Sequence, residues 1–288
     1  LIIFFKIILD RHKITVIVSL YQPFITYKFL FNIIKLSNSK LVIVVHDLIP
    51  LATNYPKFIL ATQNELLSKA DEYIVHNVHS QEGLRKYGKK IHLIRFPIMK
   101  LESKKIINKS ENDKIKFLFL GHLRKEKGIQ LLIDVWRKFS KKHNNVELVI
   151  AGSSNSGIKY NFKNLKNFKS IIEYVDDDKY FELIKKCNYG ILPYEGGTNS
   201  GVLSTIVALK RPVITSDISL FKDSDFSINE LMFKSGDEND FLETLLDLMN
   251  NPETKNEKYK KIIIEKLKKY KDDFKKELNI TFEMLNND

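Results

Sequence analysis

The chain alternates short apolar runs with longer stretches in which apolar residues recur every three or four positions. The short runs, rich in β-branched residues, predict strands at residues 13–19, 40–46, 72–76, 90–95, 115–121, 146–152, 170–175, 189–193 and 212–216. The longer stretches predict helices, one of which begins after Gly128. Such alternation is typical of α/β folds, in which parallel sheets carry helices on both faces. We therefore expect the chemistry to lie at the carboxyl ends of the strands.

Two segments differ from this pattern. Residues 100–114 are polar and charged without a sustained apolar period, which predicts a linker between two domains. Residues 257–285 repeat apolar positions at helical spacing, which predicts one long amphipathic helix. The pattern therefore predicts a first domain over 1–112, a second over 113–255 and a C-terminal helix over 256–288.

Composition narrows the class of protein. The chain has 288 residues, of which 43% are hydrophobic and 28% charged, so it is too apolar to be disordered. A single cysteine, Cys187, excludes a disulfide scaffold and a cysteine-rich zinc module, and it predicts a reducing, cytoplasmic location. No apolar run approaches the roughly 18 residues of a membrane span. The first residues lack the pattern of a signal peptide.

The net charge of +12 is unevenly distributed. Residues 1–112 carry 17 Lys and Arg against 8 Asp and Glu, whereas residues 113–288 carry 30 against 27. A basic first half predicts contact with an anionic surface, and lysines that only keep the chain soluble are the alternative. Nucleic acid is not expected as a partner, because only six of the 47 basic residues are Arg and the aromatic residues are scattered.

Two loops carry the signals of anion-binding sites. In the first, Gly121 ends a predicted strand, Arg124 and Lys127 supply positive charge, and a helix follows Gly128. In the second, residues 192–204, backbone amides of Ser200, Gly201 and Val202 precede an apolar helix. Glycine lets the backbone approach a ligand, and the N-terminus of a helix attracts anions, so a phosphate or diphosphate is the expected guest. An ordinary strand–helix connection is the alternative for each loop.

Histidines follow two strands of the first half. His46 and Asp47 come at the end of one strand, where a histidine can contact a substrate hydroxyl or assist acid–base chemistry. A structural role is the alternative. His76 and His79 follow the next strand, but no carboxylate stands at ligand spacing, so no metal site is expected.

These pieces, in this order, resemble the retaining glycosyltransferases of the GT-B fold, family four, the "glycosyl transferases group 1" class. The resemblance is carried by six motifs: HDLIP at 46–50, ADEYIVHNVHS at 70–80, IRFP at 94–97, GHLRKEKG at 121–128, LVIAG at 148–152 and CNYGILPY at 187–194. It implies an α/β fold of two Rossmann-like domains whose parallel sheets face a cleft. The C-terminal helix would cross back to the first domain.

The resemblance also implies an activity: transfer of a sugar from a UDP- or GDP-sugar to a hydroxyl of a glycan or lipid-linked acceptor, with retention, in surface polysaccharide or glycolipid synthesis. His46 and Asp47 would be catalytic. The positive charges of Arg124 and Lys127 would take the place of a metal ion at the diphosphate. The residues that hold the diphosphate would be Gly121, Arg124, Lys127, Ser200, Gly201 and Val202. No cofactor or metal is expected.

One departure from the family concerns a pair of glutamates. Aligned on Pro212, they would fall at Gly197 and Thr205, and both are absent. Residues 198–203 (TNSGVL) instead resemble a sub-branch common among exopolysaccharide and other surface-glycan transferases. Weaker candidates for contacts with the nucleoside or sugar are His122, Val175, Glu195, Thr198, Asn199 and Thr205.

A second departure is at the front, where the family has two further strand–helix units, so the first domain is expected to be incomplete. The missing front and glutamates leave a second hypothesis, a non-catalytic glycosyltransferase-like subunit that binds a partner enzyme or a membrane. The basic first half also predicts peripheral attachment to the anionic cytoplasmic face of a membrane. Its apolar contact residues would include Phe4, Phe5, Tyr21, Phe24, Tyr27, Phe29 and Phe31, among Lys6, Lys28 and Lys35. The alternative is that these aromatic residues belong to the core.

Overall fold

The computed structural model describes residues 7–10, 13–20, 26–37, 39–46, 48, 57–98, 114–154, 158, 160–197 and 199–287. Contacts group the chain into two compact units, residues 1–97 with 271–288 and residues 98–270. Apart from Lys114, the predicted linker at 100–114 lies outside the described residues, and the domain bounds predicted from sequence stay predictions.

The first unit is built on a five-stranded sheet in the order β1-β2-β3-β4-β5. The strands are β1 (Ile7–Asp10), β2 (Lys13–Leu20), β3 (Lys40–Val45), β4 (Glu72–Val75) and β5 (Lys90–Leu93). Strands β2 to β5 are parallel, whereas β1 runs antiparallel to β2 as an edge strand that the sequence pattern did not predict. The helices are α1 (Thr26–Leu36), α2 (Lys57–Ser68) and α3 (Val78–Leu84).

The second unit is built on a parallel six-stranded sheet in the order β11-β10-β9-β6-β7-β8. Its strands are β6 (Ile115–Leu120), β7 (Val146–Ala151), β8 (Phe168–Ile171), β9 (Tyr189–Leu192), β10 (Val213–Ser216) and β11 (Met232–Phe233). The helices are α4 (Ile129–Lys142), α5 (Asp177–Lys186), α6 (Gly201–Ala208), α7 (Ser219–Lys222) and α8 (Glu238–Leu248). The two-residue strand β11 was not predicted, since so short a run has no detectable alternation.

A single long helix, α9 (Pro252–Asn287), ends the chain. Its first part belongs to the second unit, where Tyr270 packs on Phe226, and its last part belongs to the first. There Leu285 is buried in a cluster with Val42, Ile74 and Ile94. Arg95, just after β5, is paired with Glu277 and Asp273 of α9, and its backbone N–H donates to Glu277 Oε2 at 3.0 Å.

The inner strands of each sheet are covered on both faces. All four residues are buried in β4, β9 and β10. Helix α4 turns one stripe inward, where Trp136 and Phe139 pack edge-on against Phe117 of β6. The predicted fold class, an α/β fold with two sheets and flanking helices, is confirmed.

Candidate functional site

The loop after β6 is shaped by three backbone features. Gly121 has a φ of 125°, and Leu123 N–H donates to the Ser153 carbonyl at 2.9 Å. Residues Lys125–Lys127 then form one 3-10 turn, and Gly128, with a φ of 64°, begins α4. A Cβ on Gly152 would lie 1.9 Å from the Gly121 carbonyl oxygen, so the backbone after β7 touches this loop directly.

The loop after β9 ends in the N-terminus of α6. Ser200 caps this helix, and its Oγ accepts the Leu203 N–H at 3.2 Å. The amides of Gly201 and Val202 lie in the first turn, where an α-helix offers its N–H groups no partner of its own. Together with the helix dipole, these amides make the start of α6 suited to an anion.

The two loops pack directly against each other. Glu195 N–H donates to the Glu126 carbonyl at 2.9 Å. A Cβ on Gly128 would lie 1.7 Å from the Pro193 carbonyl oxygen, and one on Gly121 would lie 3.5 Å from Val202 Cγ2. The basic turn and the start of α6 are therefore neighbours, as one anion site built from both loops requires.

The two predicted cations of this site are held differently. The Arg124 guanidinium is half-exposed, with Nη1 3.9 Å from Glu126 Oε1. The Lys127 ammonium lies 3.6 Å from the centre of the Tyr194 ring, over its face. The sequence analysis predicted neither a role for Tyr194 nor its contact with Lys127, although Tyr194 is the last residue of the motif CNYGILPY.

The weaker candidates are scattered around this loop pair. His122 is exposed and its Nδ1 is hydrogen-bonded to Ser153 Oγ at 2.8 Å. Glu195 is exposed, Asn199 is half-buried, and Val175 is half-buried just before Asp176, the N-cap of α5. Thr205 is only 8% exposed, and its Oγ1 donates to the Gly201 carbonyl at 2.8 Å, so its hydroxyl is engaged within α6. Thr198 lies outside the described residues.

Tyr160 is a polar residue of this region that sequence reasoning missed. Its phenol oxygen is buried without a hydrogen-bond partner. Burial raises the pKa of the phenol, and the charges of Glu126 and Glu195 raise it further. No signal in the sequence could have shown this, since both glutamates lie more than 30 positions away from Tyr160 in the sequence.

In the first unit, the carboxyl ends of β2 to β5 bring polar and aromatic side chains together. His46 Nε2 and the Ser19 hydroxyl are hydrogen-bonded at 2.7 Å, and the His46 ring lies 5.3 Å from that of His76. Phe96 packs edge-on against both histidines. Asp47, predicted beside His46, lies outside the described residues.

His76 is half-buried at this edge of the sheet. Its Nδ1 donates to the Ile94 carbonyl at 3.0 Å, which leaves Nε2 unprotonated in the neutral ring. Burial lowers the pKa of His76, and its backbone hydrogen bonds only partly oppose this. His79 is exposed on α3, apart from this cluster's buried side chains. Over the part of the chain that the structure describes, no group of three or more His, Cys, Asp or Glu is placed to hold a metal ion.

Residues 114–251 match the family described as glycosyl transferases group 1, and residues 20–98 match the N-terminal domain of the glucosyltransferase 3-like family. The structure is similar to that of TarM, with a TM-score of 0.67 and 17% identity over 92% of this chain. It is also similar to sucrose-phosphate synthase from Thermosynechococcus elongatus, with a TM-score of 0.70 and 14% identity over 95% of this chain. The chain has the GT-B fold.

Other comparisons place this GT-B chain among larger proteins. It spans 54% of the length of TarM and 74% of that of the sucrose-phosphate synthase. A trehalose-6-phosphate protein from E. coli bound with UDP-2-fluoro glucose has a TM-score of 0.61 and 10% identity, over 91% of this chain and 76% of its own. Comparison with the curated proteins gives no match. None of the described helices of this GT-B chain combines the length and apolar character needed to cross a membrane.

Proposed function

We propose that this protein transfers a sugar from a nucleoside-diphosphate sugar to a hydroxyl acceptor, with retention, in surface polysaccharide or glycolipid synthesis. The observation that carries the proposal is the direct packing of the basic turn at 121–128 against the start of α6, within the part that matches group 1 glycosyltransferases. Similarity to a structure bound with UDP-2-fluoro glucose supports a UDP-sugar as donor, with a GDP-sugar as the other candidate.

The chemistry follows from the charges of this site. When the bond from the sugar to the diphosphate breaks, its electrons stay on the diphosphate oxygen, where negative charge grows. The acceptor oxygen bonds to the sugar carbon, and its proton passes to that diphosphate oxygen. Arg124, Lys127 and the first-turn amides of α6 would stabilise that charge. His46 and Asp47 would meet the transferred sugar or the acceptor. We expect no metal ion to be needed, so activity should persist in EDTA, and rescue by Mn²⁺ or Mg²⁺ after loss in EDTA would contradict this.

Diphosphate binding is tested with Lys127→Ala. The variant should weaken binding of UDP or GDP by about 1.5–3 kcal/mol, the usual contribution of a hydrogen bond to a charged group. Lys125→Ala, in the same turn but exposed, is the matched control and should bind as the wild type does. Titration calorimetry in which wild type and Lys127→Ala have equal affinity for both nucleotides would remove the diphosphate role.

A non-catalytic subunit remains the second candidate function. It is favoured because neither of the two expected glutamates is present. Gly197, at the first position, has no side chain, and the hydroxyl of Thr205, at the second, is hydrogen-bonded within α6. Turnover separates the two functions. Release of UDP or GDP from a sugar donor, dependent on Lys127, supports the enzyme, whereas nucleotide binding without any release of product, even with an acceptor mixture, supports the subunit.

We also propose that the first unit binds the anionic cytoplasmic face of a membrane. Of the predicted aromatics, Tyr27 and Phe31 are buried in the core, which corrects their assignment to an exposed surface. Phe4, Phe5, Tyr21, Phe24 and Lys6 lie outside the described residues. Lys28 and Lys35 are paired with Glu65 and Asp71, so their charge is locally compensated.

What supports the membrane proposal is an apolar stripe on α1. Phe29, Ile33 and Leu36 are exposed and lie at helical spacing, and Phe58 is exposed on α2 next to Lys57. We expect salt-sensitive sedimentation with anionic vesicles, weakened in Phe29→Ser, and little with neutral ones. Equal binding to neutral and anionic vesicles would reject the electrostatic part of the proposal.

A further inference from the structure

Tyr194 lies at the junction of the two loops that form the proposed diphosphate site. It follows β9 and is only 1% exposed. The face of its ring carries the Lys127 ammonium, 3.6 Å from the ring centre. Because the ring is buried and fixed, this contact restricts where the Lys127 ammonium can lie.

The ring is fixed from its other sides. The Tyr194 carbonyl accepts the Ser216 hydroxyl at 2.5 Å, and Phe221 packs at 5.2 Å between ring centres. The phenol lies close to Ser200, the residue that caps α6. Burial raises the pKa of this phenol well above its usual value, so it stays neutral.

We propose that Tyr194 is a positioning residue of the diphosphate site, acting through Lys127 with the face of its ring. This inference rests on the proposed function. The electron-rich face of the ring attracts the ammonium and holds it in one place. A lysine fixed before the ligand arrives loses less side-chain entropy when it binds.

Binding of UDP and of uridine separates a positioning role from a general loss of structure, because only UDP carries the diphosphate. Tyr194→Leu removes the ring face and should weaken UDP binding about five- to thirtyfold, the range between an exposed and a desolvated cation–π contact. Uridine binding should not change. Tyr194→Phe keeps the ring and should recover most of the UDP affinity. In a Lys127→Ala background, Tyr194→Leu should have only a small further effect.

A second measurement does not depend on a stable Tyr194 variant. In wild-type protein labelled with ¹³C-lysine, the Lys127 Hε resonances should be shifted upfield by the ring, and Lys127→Arg identifies them. Absence of that shift would overturn the proposal. It would also be overturned if Tyr194→Leu bound UDP as the wild type does, lost UDP and uridine affinity equally, or kept its full effect in the Lys127→Ala background.

The outcomes distinguish this inference from the proposed function. A wild type that binds neither UDP nor GDP would overturn both. A wild type whose UDP binding depends on Lys127 but not on Tyr194 would leave the diphosphate site in place and overturn the positioning role alone.

Discussion

At the scale of single residues, the first unit contains a buried carboxylate between two basic side chains of the neighbouring strands. Glu72, with a side chain 7% exposed, lies 2.6 Å from Lys40 Nζ and 2.5 Å from His92 Nε2. The three residues come from the adjacent strands β3, β4 and β5. A buried ion pair adds little net stability, but removing one partner leaves the other charge buried without compensation.

Glu72→Gln should therefore lower the free energy of unfolding of the first unit by about 3 kcal/mol. The control is Glu65→Gln, which removes an exposed carboxylate paired with Lys28 and Lys69 and should change stability little. Urea unfolding of the two variants measures the difference. Equal losses of unfolding free energy in the two variants would show that leaving the partners of Glu72 uncompensated costs no more than removing an exposed ion pair.

The second residue-scale prediction concerns pH. Burial lowers the pKa of His76, so the folded chain favours the neutral ring while the unfolded chain binds a proton below about pH 6.5. Stability from this residue is present above that pH and is lost as the pH falls towards the lower pKa of the folded state. His76→Gln should flatten the fall in melting temperature between about pH 6.5 and pH 5.

The matched control is His143→Gln in the second unit, because burial lowers the pKa of His143 too. This variant should change the pH dependence of the second unit and not that of the first. Hydrogen exchange at several pH values assigns each effect to its unit. A His76→Gln variant whose first unit destabilises with acid as steeply as the wild type would contradict the role of this histidine.

At the scale of elements, Gly128 joins the basic turn to α4 under two constraints. Its φ of 64° disfavours a side chain, and an added Cβ would lie 1.7 Å from the Pro193 carbonyl oxygen. The turn and the loop after β9 are in contact only because this position has no side chain.

Gly128→Ala should therefore destabilise the second unit by more than about 1 kcal/mol and also weaken UDP binding, because the two loops must separate. Gly236→Ala is the matched control. That glycine has a φ of 76° but nothing within 4 Å of an added Cβ, so it reports the backbone strain alone. If both variants lose the same stability and keep UDP affinity, the contact with Pro193 is not limiting.

At the scale of the whole molecule, α9 contributes to the cores of both units. Leu285 is 2% exposed and packs on the first sheet with residues that lie far away in sequence. Leu285→Ala should cost about 2–4 kcal/mol. The loss should be seen by hydrogen exchange in β3, β4 and β5.

Met284→Ala, one residue earlier and exposed, is the control and should leave exchange unchanged. Protection lost across both units to the same degree would show that the effect of Leu285 is not confined to the first core.

The sequence by itself determined the alternation of strands and helices. The predicted runs match strands β2 to β7, β9 and β10 to within about two residues, whereas β8 ends four residues before its predicted run does. A strand buried on both faces needs a largely apolar run, which the sequence shows directly. The same holds for the glycines and cations of residues 121–128, which local spacing marks as a strand–turn–helix loop. The roles predicted for these residues, and for His46 and Ser200, stay predictions.

Only the tertiary structure decided which side chains meet. Lys127 lies over Tyr194, 67 positions later, and Glu195 binds the backbone of Glu126, because parallel strands β6 and β9 are neighbours in the sheet. The pattern of α1 showed that Tyr27, Phe29 and Phe31 are apolar but could not show that Phe29 alone of the three is exposed. Hydrophobic periodicity depends on residues close in sequence, whereas contacts across a sheet depend on strand order, and strand order is set only when the whole core is packed.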